Sequence, residues 1–247
     1  MVSTMGILVV LLFIGLMIGF FFVEKRWPST FRHLHAYERL DDALEKAVEA
    51  GERVHLSLGT GSIIGTESAP ALVGLAILSR IAASTAVSDK PVVVSSGDGA
   101  MTALAQDSLY SSYKKLGVTS RFDPSSSRML GPTRYSYTAG VPTLLIDEEV
   151  SVHIMHGSYG SEGALVASFG ERSESFVIAG TDHVQSQALL YAIAEEPLVG
   201  EEVFAGGAYL NVGDFHKASL RTQDIVRVII IAVIVIGVIL RTLQVID

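Results

Sequence analysis

The sequence predicts an α/β protein, a Rossmann-like parallel sheet domain set between N- and C-terminal transmembrane helices. Three observations predict it. Two apolar runs lie near the ends of the chain, Gly6 to Val23 and Ile225 to Leu240. Between them, short β-rich segments alternate with longer helical patterns, which argues for parallel strands joined by helical crossovers. Hydrophobic residues make up 49% of the 247 and mean hydropathy is +0.43, so membrane segments are the first thing to seek.

Residues 1–23 read as the first anchor. The run from Gly6 spans about 27 Å as a helix, enough to cross the hydrocarbon core. A cleaved signal peptide would need a basic start and small residues at the cut. The chain instead opens Met1-Val2-Ser3-Thr4 and leaves the run through Glu24-Lys25-Arg26, which fits a retained anchor. Residues 225–247 read as a second span and a short tail. This run is short and bracketed by Arg227 and Arg241, whose side chains can snorkel to the interfaces.

Basic residues cluster at the inner ends of both spans. Lys25, Arg26 and Arg32 follow the first, Lys217, Arg221 and Arg227 precede or enter the second, and Arg241 alone lies beyond. The positive-inside rule then places residues 24–224 in the cytoplasm and both termini on the outer side of the cell membrane. Within the first span, Gly15-x-x-x-Gly19 allows close helix approach, either to another subunit or to the second span.

The central region opens with an amphipathic helix, His33 to Ala50, closed by Gly51. Strands are expected at Val54–Leu58, Pro91–Ser95, Ser151–His156 and Ser175–Ala179. A helix follows each: one with Ser68 as N-cap and Pro70 in its first turn, running to about Ala83; Met101 to Leu116; one from about Glu162; and His183 to Glu195. Val203 to Leu210 adds a further helix. Val118 to Gly140, with Pro124, Pro132 and three serines at 125–127, reads as a long loop. The helix from Ala69 carries almost no charge before Arg80, so it needs cover on several sides, from the sheet and from another subunit. A homo-oligomer is expected on that ground. Val54-His55-Leu56 before Gly59-Thr60-Gly61 resembles Val152-His153-Ile154 before Gly157-Ser158-Tyr159-Gly160. Two β-α-β-α halves, 52–117 and 141–210, would explain this; chance recurrence of a short pattern is the alternative.

Composition excludes several chemistries. A net charge of −8 lacks the basic face that nucleic acid requires, and the absence of cysteine removes thiolate nucleophiles and thiolate metal sites. The small polar loops at the carboxyl ends of the strands are the candidate ligand site: Gly59, Thr60, Gly61 and Ser62; Ser96, Gly97 and Asp98; Gly157, Ser158 and Gly160; Thr181 and Asp182. Ligands of open parallel sheets bind at that edge. Yet Gly59-x-Gly61-x-x-x-Gly65 is longer than the dinucleotide fingerprint and lacks a P-loop lysine, so a tight turn is the plainer reading. No loop has the nucleophile-elbow spacing, and pairing His156 or His183 with one of many serines is weak ground for a triad. His33 and His35 lack a third ligand nearby. No catalytic residue, metal or cofactor is assigned.

At Leu56-Ser57-Leu58-Gly59, Ser96-Gly97-Asp98, Gln106-Asp107, Ala179-Gly180-x-Asp182 and the run from Pro197 to Leu210, the chain resembles an uncharacterised prokaryotic membrane-protein family defined only as a domain of unknown function. That resemblance implies no activity, substrate or cofactor. The sequence reading is therefore a membrane-anchored, non-enzymatic assembly or scaffold protein, with the lipid bilayer, further copies of itself and other membrane proteins as partners. The alternative is a membrane-tethered sensor or enzyme that binds a nucleotide or other phosphorylated small molecule at the carboxyl edge of the sheet.

Overall fold

The computed structural model describes residues 4–27, 30–65 and 67–243. The opening Met1 to Ser3 and the tail from Gln244 lie outside them. The chain divides into two units, one formed by the residues up to Arg32 with those from Gly213 on, the other by His33–Val212.

The first unit is built from α1 (Thr4–Arg26) and α9 (Asp214–Thr242), which pack on each other. Both are long and apolar enough to cross a membrane, with mean hydropathies of 3.0 and 2.7 in their most apolar windows. α9 begins well before the apolar run, and its first turns carry Lys217, Arg221 and Asp224. There Phe215 stacks on Phe21 at 4.1 Å, and Arg221 reaches Glu24 at 3.1 Å and the Trp27 carbonyl at 3.3 Å. The end of α1 thus meets the beginning of α9.

The second unit holds α2 (His35–Ala50), β1 (Arg53–Gly59), α3 (Ser68–Thr85), β2 (Val93–Ser96), α4 (Gly99–Lys115), β3 (Ser127–Met129), α5 (Arg134–Asp147), β4 (Val150–Ser158), α6 (Gly163–Arg172), β5 (Phe176–Gly180), α7 (Val184–Ile193), β6 (Glu196–Leu198) and α8 (Glu202–Tyr209). The six strands form one all-parallel sheet in the order β3-β2-β1-β4-β5-β6. Strand order reverses between β1 and β4, so the chain winds outward from that central pair in both directions. β1 and β4 are buried along nearly their whole length although polar residues are interspersed along both, so His55, Ser57, His153, His156 and Ser158 are carried into the interior.

One face of the sheet carries Val54, Leu56, Leu58 and Ile154 and packs against α3. On the other, Met155, Val177 and Ala179 join Val141, Leu145 and Val166 of α5 and α6 in the second core. α3 has the length and hydropathy of a span, but it lies on the sheet with Ile77, Leu78 and Ile81 fully buried. Within the chain its cover comes from α2, α4 and α8. Tyr37 and Ile77 fill the space beside Gly206 of α8, where a Cβ would lie 3.1 Å from each.

Three local expectations are corrected. Residues 118–140 are not one loop: they form two 3-10 turns, β3 and the start of α5. β3 has three residues with Arg128 at its centre, so no apolar run announces it. α5 contains Gly140 and Pro142, both unfavourable inside a helix, but a reciprocal Thr133–Ser136 capping box starts it. Ser68 is the first residue of α3 rather than its N-cap; that position is Glu67, and the Ser68 hydroxyl donates to the Gly65 carbonyl at 2.9 Å. β6 is a further strand that no apolar run announces, and Pro197 sits in it. A proline is tolerated there since β6 is an edge strand.

Candidate functional site

The carboxyl ends of β1 and β4 meet at the point where strand order reverses, and the sheet is irregular there. Ser57 pairs with Met155 and Gly59 with Ser158, so β4 holds one residue more than β1 over the interval. Gly157 occupies the bulge. A Cβ on it would overlap the Leu58 carbonyl group, so only glycine lets the two strands come together.

Most of the sequence-predicted loop residues are tied to one another. Gly59 turns the chain at φ +68°, and its carbonyl accepts from Gly97 N–H at 2.8 Å. Gly97 in turn lies against Thr60. Gly61 sits beneath its own loop, where a Cβ would lie 2.5 Å from the Glu67 carbonyl and 3.3 Å from Ser158 Cβ. Ser62 is exposed. Ser96 Oγ accepts from Asp98 N–H at 3.0 Å, and Asp98 caps α4 by accepting from Met101 N–H at 2.8 Å. Thr181 Oγ1 accepts from Tyr159 N–H at 3.0 Å, while Asp182 has only a 3.4 Å contact from that hydroxyl. Gly160 N–H donates to Glu162 at 2.8 Å. Ser158 is the exception: its hydroxyl is buried and has no hydrogen-bond partner.

The loops were read as small and polar, with Asp98 and Asp182 their only acids. The folded edge is more highly charged. Arg134, the first residue of α5, lies 3.5 Å from Glu67 and 3.7 Å from Glu162, and His183 lies 3.8 Å from Glu67. These four residues start α3, α5, α6 and α7, whose N-termini all open at this edge. Arg134 was missed because it fell in the supposed loop. Glu67 and Glu162 carry no motif of their own.

Beneath the edge, between the sheet and α5, runs a second polar group that the sequence did not disclose. His55 and His153, partners in the β1–β4 register, face each other with Nδ1 atoms 2.9 Å apart. His55 Nε2 lies 2.8 Å from Ser95 Oγ, which is 2.7 Å from Tyr137 OH. Ser57 Oγ joins Tyr137 at 2.5 Å to Tyr159 at 2.6 Å, and the Tyr159 hydroxyl donates to the Ser57 carbonyl at 2.8 Å. One direction satisfies the whole chain. If His153 Nδ1–H donates to His55, then His55 Nε2–H donates to Ser95, and each hydroxyl donates onward to the Ser57 carbonyl. His153 Nε2, which has no partner, is then a bare acceptor rather than an orphaned N–H, the costlier alternative.

Burial, the neighbouring imidazole and Arg128 hold the His55 pKa well below its usual value, and burial alone lowers that of His153 to about 3. Burial raises those of Tyr137 and Tyr159. All four are neutral at pH 7. Ser95, His55 and His153 stand in the order nucleophile, base and orienting group, but all three are completely buried. The histidines weighed for hydrolysis are placed elsewhere: His156 Nδ1 lies 3.0 Å from the Pro70 carbonyl, and His183 faces Glu67. His33 pairs with Glu38 and His35 with Glu196. Among the described residues no group of three or more histidines and carboxylates could hold a metal ion.

No curated protein and no solved structure matches this chain. A family model does, over residues 1–247, and the chain belongs to that family, the domain of unknown function DUF6754.

Proposed function

We propose that this protein is a membrane-anchored, homo-oligomeric assembly protein without catalytic activity. The observation that carries this reading is the open face of α1. Although α1 packs on α9, Gly15 and Gly19 have nothing within 4 Å of the position a Cβ would take. The small-residue pair is therefore not used by the second helix and is left for another copy. Its neighbours Ile14 and Ile18 are exposed as well, 44% and 49%. In mild detergent the wild type is expected to be oligomeric by light scattering, and Gly15→Leu/Gly19→Leu to fall to a smaller species. A monomeric wild type would overturn the reading.

The domain between the two helices is proposed to face the cytoplasm, supported by the basic residues at their inner ends; the Arg221–Glu24 contact supports only that those ends lie on the same side. Cysteines placed at Ser3 and Asp247 are expected to react with an impermeant reagent on intact cells, and one at exposed Ser125 to be protected. Ser126 beside it is buried and would be a poor probe. Reaction at Ser125 alone would reverse the orientation.

A second reading, a ligand-binding domain, is favoured by one specific observation. Ser158 Oγ is buried and unpartnered at the reversal point of the sheet, where ligands of such folds bind.

A further inference from the structure

We propose that the N-terminal end of α3 is a binding site for a phosphoryl group and that Glu67 keeps it closed by occupying it. The inference rests on the second reading above and names its ligand and its gate. Glu67 stands at the N-cap position of an 18-residue helix, where a side chain ordinarily turns inward to cap. It makes no such bond. Its carboxylate points instead to Arg134 and His183, residues brought from the starts of α5 and α7. An acidic side chain thus lies against a guanidinium and an imidazole that favour an anion, while the first N–H groups of α3 receive no bond from it.

The hold is loose. At 3.5 and 3.8 Å both contacts exceed the roughly 2.8 Å of a good charge-assisted hydrogen bond. The three side chains are 36–46% exposed, so solvent screens them. An incoming anion would displace little.

Ser158 supplies the independent sign of a ligand. Its side chain is almost wholly buried, lies against Gly61 beside the Glu67 carbonyl, and leaves its hydroxyl without a partner. A phosphoryl group offers three oxygens, enough to meet the Arg134 guanidinium, the His183 imidazole and the Ser158 hydroxyl together. Glu67 meets only the first two, and both through Oε1. Glu162, nearly buried and held by Gly160 N–H, lies on the other side of Arg134 and keeps the guanidinium at the edge when Glu67 leaves.

The test is titration of the full-length protein in mild detergent with inorganic phosphate, read by calorimetry and by 31P line broadening. Glu67→Gln removes the internal charge and keeps the side chain's shape. It is expected to bind phosphate at least tenfold more tightly than the wild type. Adding Ser158→Ala or Arg134→Ala to it should erase most of that gain, and thermal melts of the same samples check that each variant is folded. Equal affinity of Glu67→Gln and wild type would overturn the gate alone. No binding by any folded variant would overturn both the gate and the ligand reading. Binding to vesicles containing phosphatidic acid, with none to free phosphate, would overturn a soluble ligand in favour of a lipid headgroup.

Discussion

Replacing Gly157 with alanine is expected to abolish stable folding of the α/β unit. The added Cβ would overlap the Leu58 carbonyl group on the adjacent strand, and neither atom is at the end of a flexible side chain. Relief requires β1 and β4, the two central strands, to part at the bulge where their register shifts. Overpacking in a core costs about 1–3 kcal/mol where side chains can yield. A backbone clash at the centre of the sheet lies at or above the top of that range, a large share of the roughly 5–15 kcal/mol that stabilises a domain. Gly99→Ala is the control: its nearest neighbour would be Met129 Sδ at 3.9 Å, and it lies in the first turn of α4. Circular dichroism and thermal melts should show Gly99→Ala unchanged and Gly157→Ala unfolded or strongly destabilised. Near-equal melting points would refute the packing argument.

Acid is expected to destabilise the same unit steeply, beginning near pH 6.5. The sign follows from where the protons bind. In the unfolded chain His55, His153 and His156 titrate near 6.5. In the folded chain burial holds all three neutral to lower pH, His153 down to about 3. Above pH 6.5 neither state is protonated at these sites and their contribution is complete. Below it the unfolded state takes up protons that the folded state refuses, so stability falls by up to about 1.4 kcal/mol per pH unit for each histidine. Their contribution continues to fall until the folded state itself protonates. The groups facing the pair are uncharged Ser95, Tyr137, Ser57 and Tyr159, with Arg128 acting from β3, so no carboxylate of the network offsets the loss. Melting temperature measured from pH 7.5 to 4.5 should fall continuously. His153→Gln should start lower, having lost the bond to His55, but decline with a shallower slope. Parallel declines for variant and wild type would show that the pair does not titrate in this way.

The sequence by itself determined what depends on local pattern. Apolar length specified the two terminal helices, and β-rich runs bounded by glycine specified β1, β2, β4 and β5. Gly51 closes α2 in the left-handed conformation, as its position after an amphipathic helix required. The repeated Val-His-aliphatic pattern marked the two strands that the fold pairs, with His55 opposite His153. What it could not show was that this register puts their imidazoles in contact, because proximity across 98 residues is a property of the sheet and not of either segment.

Only the tertiary structure decided the rest. β3 and β6 have three residues each and little apolar character; they are strands because a neighbour offers its free edge. α5 forms despite Gly140 and Pro142, since its capping box and its packing on the sheet outweigh two weak positions. At the candidate site the glycines, Asp98 and Thr181 were legible, as turn and cap residues have short-range signatures. Arg134, Glu67 and Glu162 were not, and His183 was weighed only as a partner for a serine, because each belongs to a different helix start. Only the winding of a parallel sheet, which sends every strand's carboxyl end to one edge, brings those starts together.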